Sequence, residues 1–283
     1  MIAVVTDSAG CLASRGRLRV VSIPVTIGEQ SFPEGSADLE ERLKLALASG
    51  EPVSTSRPSP GVFAETYDQL LAQGYQHIVS VHLSGELSGT VDSARLGAAN
   101  TAAQVHVVDS RQAGAPLGWA AEDAARVAEA GGRVEEVIAA AQRTAEAARV
   151  VFAVPSLERL RLSGRLRGPV AALGSLMHIT AVLHLQAGRI QPVARPRTWQ
   201  TAQQKLLEQT LHAAQQGQVR RCTVHHAADP QGARWLAERL RHQLDETAPG
   251  QSVDVVNLPP ALSAHLGLGT LAVAVDAAPP PSG

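Results

Sequence analysis

The chain has few aromatic side chains: Phe, Tyr and Trp together make up 3% of its 283 residues. Stacking platforms for single-stranded DNA or unpaired RNA bases need such rings, so nucleic acid is set aside as a partner. Cysteine is nearly absent as well. Cys11 and Cys222 are too few for a disulfide framework or for a zinc site built from cysteine pairs, which points to a reducing, cytoplasmic setting. Neither sign of charge is in excess: 25 Lys and Arg stand against 26 Asp and Glu. The field of the whole protein therefore draws it to no anionic polymer, and at most transient membrane contact is expected. No apolar run approaches the roughly 18 residues of a membrane span. The opening MIAVVTDSAG has no positive n-region and reads as a first strand rather than a signal peptide.

Nucleotide and metal motifs are missing too. A Walker loop requires a lysine that residues 85–90 lack, and no G-x-G-x-x-G follows any strand-like run. Ten histidines are present, but none forms H-E-x-x-H or a tight pair with carboxylates, so neither metal nor cofactor is expected.

What is there is βαβ grammar. IAVVT, VVSIPVTI, HIVSVHL and VHVVD alternate with alanine-rich amphipathic stretches at about 38–49, 60–73, 88–100 and 116–130. Such crossovers give a parallel sheet covered on both faces. Ser59 before Pro60 reads as an N-cap with proline at the first helical position. After RVVFAVP the pattern changes: a basic turn runs into an apolar helix, VLHLQAGRIQPVARP reads as a hairpin about Ala187 and Gly188, and helices at 198–216 and 231–246 alternate with further strands. The expectation is an α/β fold: a parallel-sheet N-terminal domain over 1–154, a smaller α+β C-terminal domain over 155–276, and a disordered tail, AAPPPSG, over 277–283.

Strand ends of an open parallel sheet face a crevice, and polar tips converge there: Asp7 and Ser8, Ser84 to Thr90, Asp109 and Ser110. In VHLSGELSGTVDSA (81–94) an apolar strand meets hydroxyls and glycines at a helix start, which suits an anion. Turn and cap chemistry explains each of these residues equally well on its own. Ser88, Asp109 and His265 also allow a serine hydrolase acting on acyl esters, although Gly85, Ser88 and Gly89 lack the G-x-S-x-G spacing of a nucleophile elbow. His265 stands apart from the strand histidines because LSAHLGLGT reads as a Gly-rich loop, where backbone approaches a ligand closely.

Seven segments in order, VTDSAG, STSRPSPGVF, VHLSGELSGTVDSA, HVVDS, LERLRLSGRL, ALGSLMHITAVL and SAHLGLGTLAV, resemble the DegV family over nearly the whole chain. The resemblance implies a protein that binds a long-chain fatty acid of the palmitate or oleate class. It further implies delivery to a separate fatty acid kinase, of which the protein is the non-catalytic, acyl-binding subunit. It assigns carboxylate binding to Thr55, to Ser88 and to the loop histidine, His265. Arginines about Arg165, Arg195 and Arg197 would meet the kinase or its nucleotide phosphates. Departures from the family pattern are Arg57 where it has glutamine, SGEL at 84–87 for a double serine, and LGLG at 266–269 for Gly-Pro-Gly. A lipid-sensing regulatory protein that serves no enzyme is the third reading.

Hydroxyls would hold a carboxylate more loosely than a bidentate arginine clamp and leave an oxygen free to attack a phosphoryl donor. The hydrocarbon tail would supply affinity, about 12 kcal/mol gross for about fifteen buried carbons, before association costs. The apolar spans 170–183 and 255–268 are expected to line its tunnel, with Arg161, Arg165 and Arg167 clustered near the mouth.

Overall fold

Strand β1 (Ile2–Asp7) is buried at every position, the fate of an apolar run at the centre of a parallel sheet with both faces covered. The structure, a computed structural model, describes residues 1–36, 38–166, 179–245 and 250–278. It divides into two compact units, Met1–Leu39 with Thr55–Glu146, and Glu40–Ser54 with Ala147–Gly283. Among the described residues no helix is long and apolar enough to cross a membrane.

In the first unit β1 pairs in parallel with β2 (Leu18–Val21) and with β6 (His77–His82), and β6 pairs in parallel with β7 (Gln104–Asp109). A short antiparallel hairpin, β3 (Val25–Ile27) and β4 (Gln30–Phe32), precedes the excursion into the second unit. The chain returns through β5 (Val53–Thr55). Helix α2 (Pro60–Ala72) starts as its residues dictate, with the Ser59 hydroxyl accepting the Val62 N–H at 3.3 Å and Pro60 in the first turn. Its buried face, Phe63, Tyr67 and Leu70, packs with Ala94 of α3 (Thr90–Ala98) on Ala3, Val5 and Ile78 of the sheet. Helix α4 (Ala115–Glu129) lies against β1, and at Gly118 a side-chain carbon would sit 2.2 Å from the Gly10 carbonyl. Glycine is required there by close approach of two backbones. Helix α5 (Val134–Ala147) closes the unit.

The second unit holds a six-stranded sheet in the order β10, β9, β8, β13, β11, β12. Strands β8 (Ala148–Val154), β9 (Ala181–Gln186), β10 (Arg189–Ala194), β11 (Gln218–His226) and β13 (Leu271–Ala278) pair antiparallel. Strand β12 (Val253–Asn257) runs parallel to β11 after the crossover helix α8 (Pro230–Asp245). The β9–β10 turn falls at Ala187 and Gly188, both at positive φ, as a two-residue hairpin of this hand requires. Helices α7 (Trp199–Ala214) and α8 cover one face through Leu206, Leu236 and Leu240 on Val224 and Val273. The other face gathers Phe152, Val154, Ala181, Leu183 and Ala272 with Leu157 and Leu160. Leu157 precedes and Leu160 lies within α6 (Glu158–Leu162), and α9 (Pro260–Leu266) packs beside it.

Three boundaries differ from the sequence expectation. Strand β8 pairs with β9 and β13, so the second unit begins at Ala147 rather than after 154. Helix α1 (Leu39–Ser49), expected in the N-terminal domain, belongs to the second unit from Glu40 onward; Leu43 and Leu47 border a cleft there with Leu258, Pro260 and Leu268. Residues 277 and 278 are the end of β13, paired with Val219 and Gln218, while 279–283 lie outside the described residues. So do Arg167 and the span 170–178 of the expected tunnel lining. Of the second expected span, Leu258, Pro260, Ser263 and Leu268 border the cleft beside α1.

Candidate functional site

The turn after β6 is built from hydrogen bonds that leave it little freedom. Asp7, at the end of the neighbouring strand, accepts the Leu83 N–H at 2.9 Å and the Ala9 N–H at 3.2 Å. The Ser84 N–H donates to the Gln112 carbonyl, and the Ser84 carbonyl accepts the N–H groups of Leu87 and Ser88 at 3.0 and 3.1 Å. Asp109 accepts from the backbone of Gly85 and, at 2.8 Å, of Arg111. A side-chain carbon at Gly85 would lie 2.9 Å from an Asp109 carboxylate oxygen and press on that carboxylate. Asp109 is thus the buttress of the turn.

Helix α3 begins at Thr90 with Gly89 as its cap, two residues later than expected. Ser88 therefore stands just ahead of the helix. Its hydroxyl meets Thr90 Oγ1 at 2.9 Å and accepts the Thr90 N–H at 3.3 Å. A hydroxyl carries one donor and two acceptor sites. Either hydroxyl can be the donor in this pair; when Thr90 donates through both its groups, the Ser88 proton faces an anion in front of the first helical turn.

Thr55 reaches this turn through Arg57. After β5 the Ser56 N–H donates to the Pro24 carbonyl at 3.1 Å, and Pro58 holds the preceding residue extended. The stretch 57–60 then runs alongside α3. At its start Arg57 lies against Gly89, where a side-chain carbon would fall 2.8 Å from a guanidinium nitrogen. At its end the Pro60 carbonyl and Phe63 Cβ crowd Gly97, at 2.8 and 2.5 Å from the same hypothetical carbon. The segments carrying Thr55 and Ser88 are therefore neighbours within one unit.

Beneath the turn lies a chain of side chains with no exposure at all: Tyr67, Ser80, His82 and Asp7. Tyr67 Oη meets Ser80 Oγ at 2.9 Å, Ser80 Oγ meets His82 Nε2 at 2.7 Å, and His82 Nδ1 meets Asp7 at 3.0 Å. The order Ser, His, carboxylate is that of a hydrolytic triad, yet Ser80 is sealed inside the sheet. Burial raises the Tyr67 phenol above its ordinary pKa, against a lowering by Ser80. The hydrolase reading, by contrast, needs a base on Ser88, whose hydrogen-bond partner is Thr90.

In the second unit His265 is on helix α9 rather than in a loop. Burial, then the charges of Arg165 and Arg159, push its pKa down to about 4, so the ring is neutral at pH 7. Arg159 was not singled out by sequence. Its Nε donates to the Ala264 carbonyl at 3.0 Å and its stem lies on Gly267. Burial lowers the pKa of both Arg159 and Arg165, which marks two guanidinium groups partly withdrawn from water beside a neutral imidazole. Arg161, expected in the basic cluster, is instead paired with Glu158 at 2.6 Å. The E-x-x-R spacing on one helix face was the signal that removes it. Arg195 and Arg197 are exposed, on the segment between β10 and α7. Among the described residues no group of three His, Cys, Asp or Glu is placed to hold a metal ion.

Comparison with known proteins agrees with this architecture. The model of the DegV family, described as an uncharacterised protein family, matches residues 1–278. A DegV domain-containing protein of Streptomyces coelicolor is 38% identical over 279 residues, covering 97% of this chain and 98% of the relative. A DegV family protein from Thermus thermophilus, whose structure was solved for its fatty acid binding, superposes with a TM-score of 0.86 at 29% identity, covering 98% and 99% of the two chains. The fatty acid kinase B3 protein of Streptococcus pneumoniae, solved loaded with linoleic acid, shares the fold, with a TM-score of 0.81 at 19% identity over 98% and 99% of the chains.

Proposed function

This chain belongs to the DegV family, and on that footing we propose that it is a cytoplasmic carrier that binds a long-chain fatty acid of the palmitate or oleate class. It holds the ionised head at the paired segments of Thr55 and Ser88 and presents it to a partner fatty acid kinase, catalysing no reaction alone. The observation that carries this reading is the packing of Arg57 on Gly89, which sets the two hydroxyl-bearing segments side by side at the start of α3. The helix start contributes N–H groups and a positive dipole end. In the second unit His265, the third residue the family resemblance assigns, is a neutral ring able to donate or accept without charge. Arg165, Arg195 and Arg197 of the same unit would face the kinase.

Native mass spectrometry of the purified chain, followed by denaturation, identifies any acid carried through purification. Binding of added oleate or palmitate is then measured for wild type and for Ser88→Ala, with an expected loss of about tenfold from removal of one hydrogen bond to a charged group. A chain that is empty and also refuses both acids overturns the proposal. Turnover of an acyl ester without a second protein would establish the hydrolase instead, and acid binding without any kinase response would establish the sensor.

A further inference from the structure

Among the described residues the guanidinium of Arg57 makes no hydrogen bond and no ion pair. An unpaired surface arginine ordinarily extends into water on its flexible stem. This one is folded down onto backbone: a side-chain carbon at Gly89 would lie 2.9 Å from its Cδ and 2.8 Å from Nη1. Two features place it there. Pro58, itself buried, fixes the direction in which the chain leaves Arg57. The absence of a side chain at Gly89 opens the floor on which the stem rests. The charged end is thereby held over the residues that cap α3, beside the Ser88 hydroxyl and the positive end of the helix. Asp92 in the first turn of α3 is paired with Arg95 at 3.1 Å, and among the described residues Arg57 has no carboxylate partner, so its charge is available to an anion from solution.

We propose that Arg57 is the charge-reading residue of the head-group site, selecting ionised over neutral heads and favouring a doubly charged, phosphate-bearing head over a singly charged carboxylate. This rests on the fatty acid reading above and deepens it. Hydroxyls and N–H groups bind neutral and anionic oxygens alike, whereas a full positive charge separates them by Coulomb attraction, and that attraction grows with ligand charge. Because Arg57 is exposed, its influence is screened by salt and it grips no carboxylate permanently. A site of this kind holds a carboxylate loosely enough to react and gains hold as a second negative charge is added.

The test uses three ligands with one tail, dodecanoate, dodecyl phosphate and dodecanol, in competition for the full chain at low and high salt. Arg57→Gln is expected to weaken dodecanoate about fivefold, to weaken dodecyl phosphate by a larger factor, and to leave dodecanol unchanged. Arg57→Lys should retain part of the charged-ligand affinity. The salt dependence of dodecyl phosphate binding should flatten in Arg57→Gln. Equal factors for all three ligands, or none, overturn the role of Arg57 while leaving fatty acid binding intact. Failure of wild type to bind any of them overturns the carrier reading as well. Unchanged thermal unfolding of both variants confirms that the changes are read at the site.

Discussion

The imidazole of His82 meets the carboxylate of Asp7 at 3.0 Å with neither side chain exposed to solvent. The same carboxylate accepts the N–H of Leu83, the first residue of the turn that leads to Ser88. One acidic side chain therefore ties the end of β1, the end of β6 and the turn before α3 together. One assignment satisfies every member: His82 donates to Asp7 through Nδ1, Ser80 donates to Nε2 and Tyr67 donates to Ser80.

Asp7→Ala should accordingly be among the costliest single changes in the first unit. It leaves two backbone N–H groups and an imidazole N–H buried without acceptors, a loss of about 3 to 5 kcal/mol. Tyr67→Phe removes only the outer end of the chain and should cost about 1 kcal/mol. Urea denaturation at pH 7 measures both. Equal costs would show that the network is not organised around Asp7.

Gly97→Ala sets two effects against each other. Alanine is the better helix former by about 1 kcal/mol. The new carbon, however, would sit 2.5 Å from Phe63 Cβ and 2.8 Å from the Pro60 carbonyl, and overpacking of this kind costs about 1 to 3 kcal/mol. One of the two crowding atoms is backbone and cannot swing aside, so the variant should be net destabilised. Because the strain falls on the segment 57–60, ligand binding should weaken with it. A raised Tm for Gly97→Ala would contradict this packing.

The neutral state of His265 makes stability depend on pH. Its pKa is pushed down to about 4 in the folded chain by burial and then by Arg165 and Arg159, against about 6.5 when unfolded. Between these values the unfolded chain takes up a proton that the folded chain does not, so stability is full at pH 7 and falls as pH drops from 6.5 toward 4. Replacing His265 with Asn should reduce the loss between pH 7 and pH 5 by about 2 kcal/mol. His225, fully buried and also pushed down to about 4, contributes a second loss that the variant keeps. Urea midpoints at the two pH values give the comparison, and identical slopes for the two proteins would count against a depressed pKa at His265.

Much of the element list was legible because it depends on local chemistry. Apolar β-branched runs became strands, Ser59 with Pro60 opened α2, and Ala187 with Gly188 made the hairpin turn. The turn before α3 was visible as hydroxyls and glycines after a strand. What escaped was company across long sequence distances. Arg159 could not be distinguished from Arg161 by composition, because its importance comes from lying beside Ala264 and Gly267, more than a hundred residues on. The assignment of α1 to the second unit was hidden for the same reason, since an amphipathic helix reads alike whichever core it covers.

Asp276 shows the division most clearly. Sequence alone sets β13 as a run of small apolar residues and places a carboxylate in it. Only the fold brings Arg220 and Arg221 to the two oxygens of that one buried group, at 2.8 and 2.6 Å. Adjacent residues on a regular strand point to opposite faces, and a register shift between Val219 and Arg221 lets both arginines converge. Sequence by itself determined which segments become strands, helices and turns, since φ/ψ preference and hydrophobic period act over a few neighbours. Tertiary structure decided which charges meet and where an unpaired one such as Arg57 comes to rest, because an electrostatic site is a matter of distance in space, which residue identity does not encode.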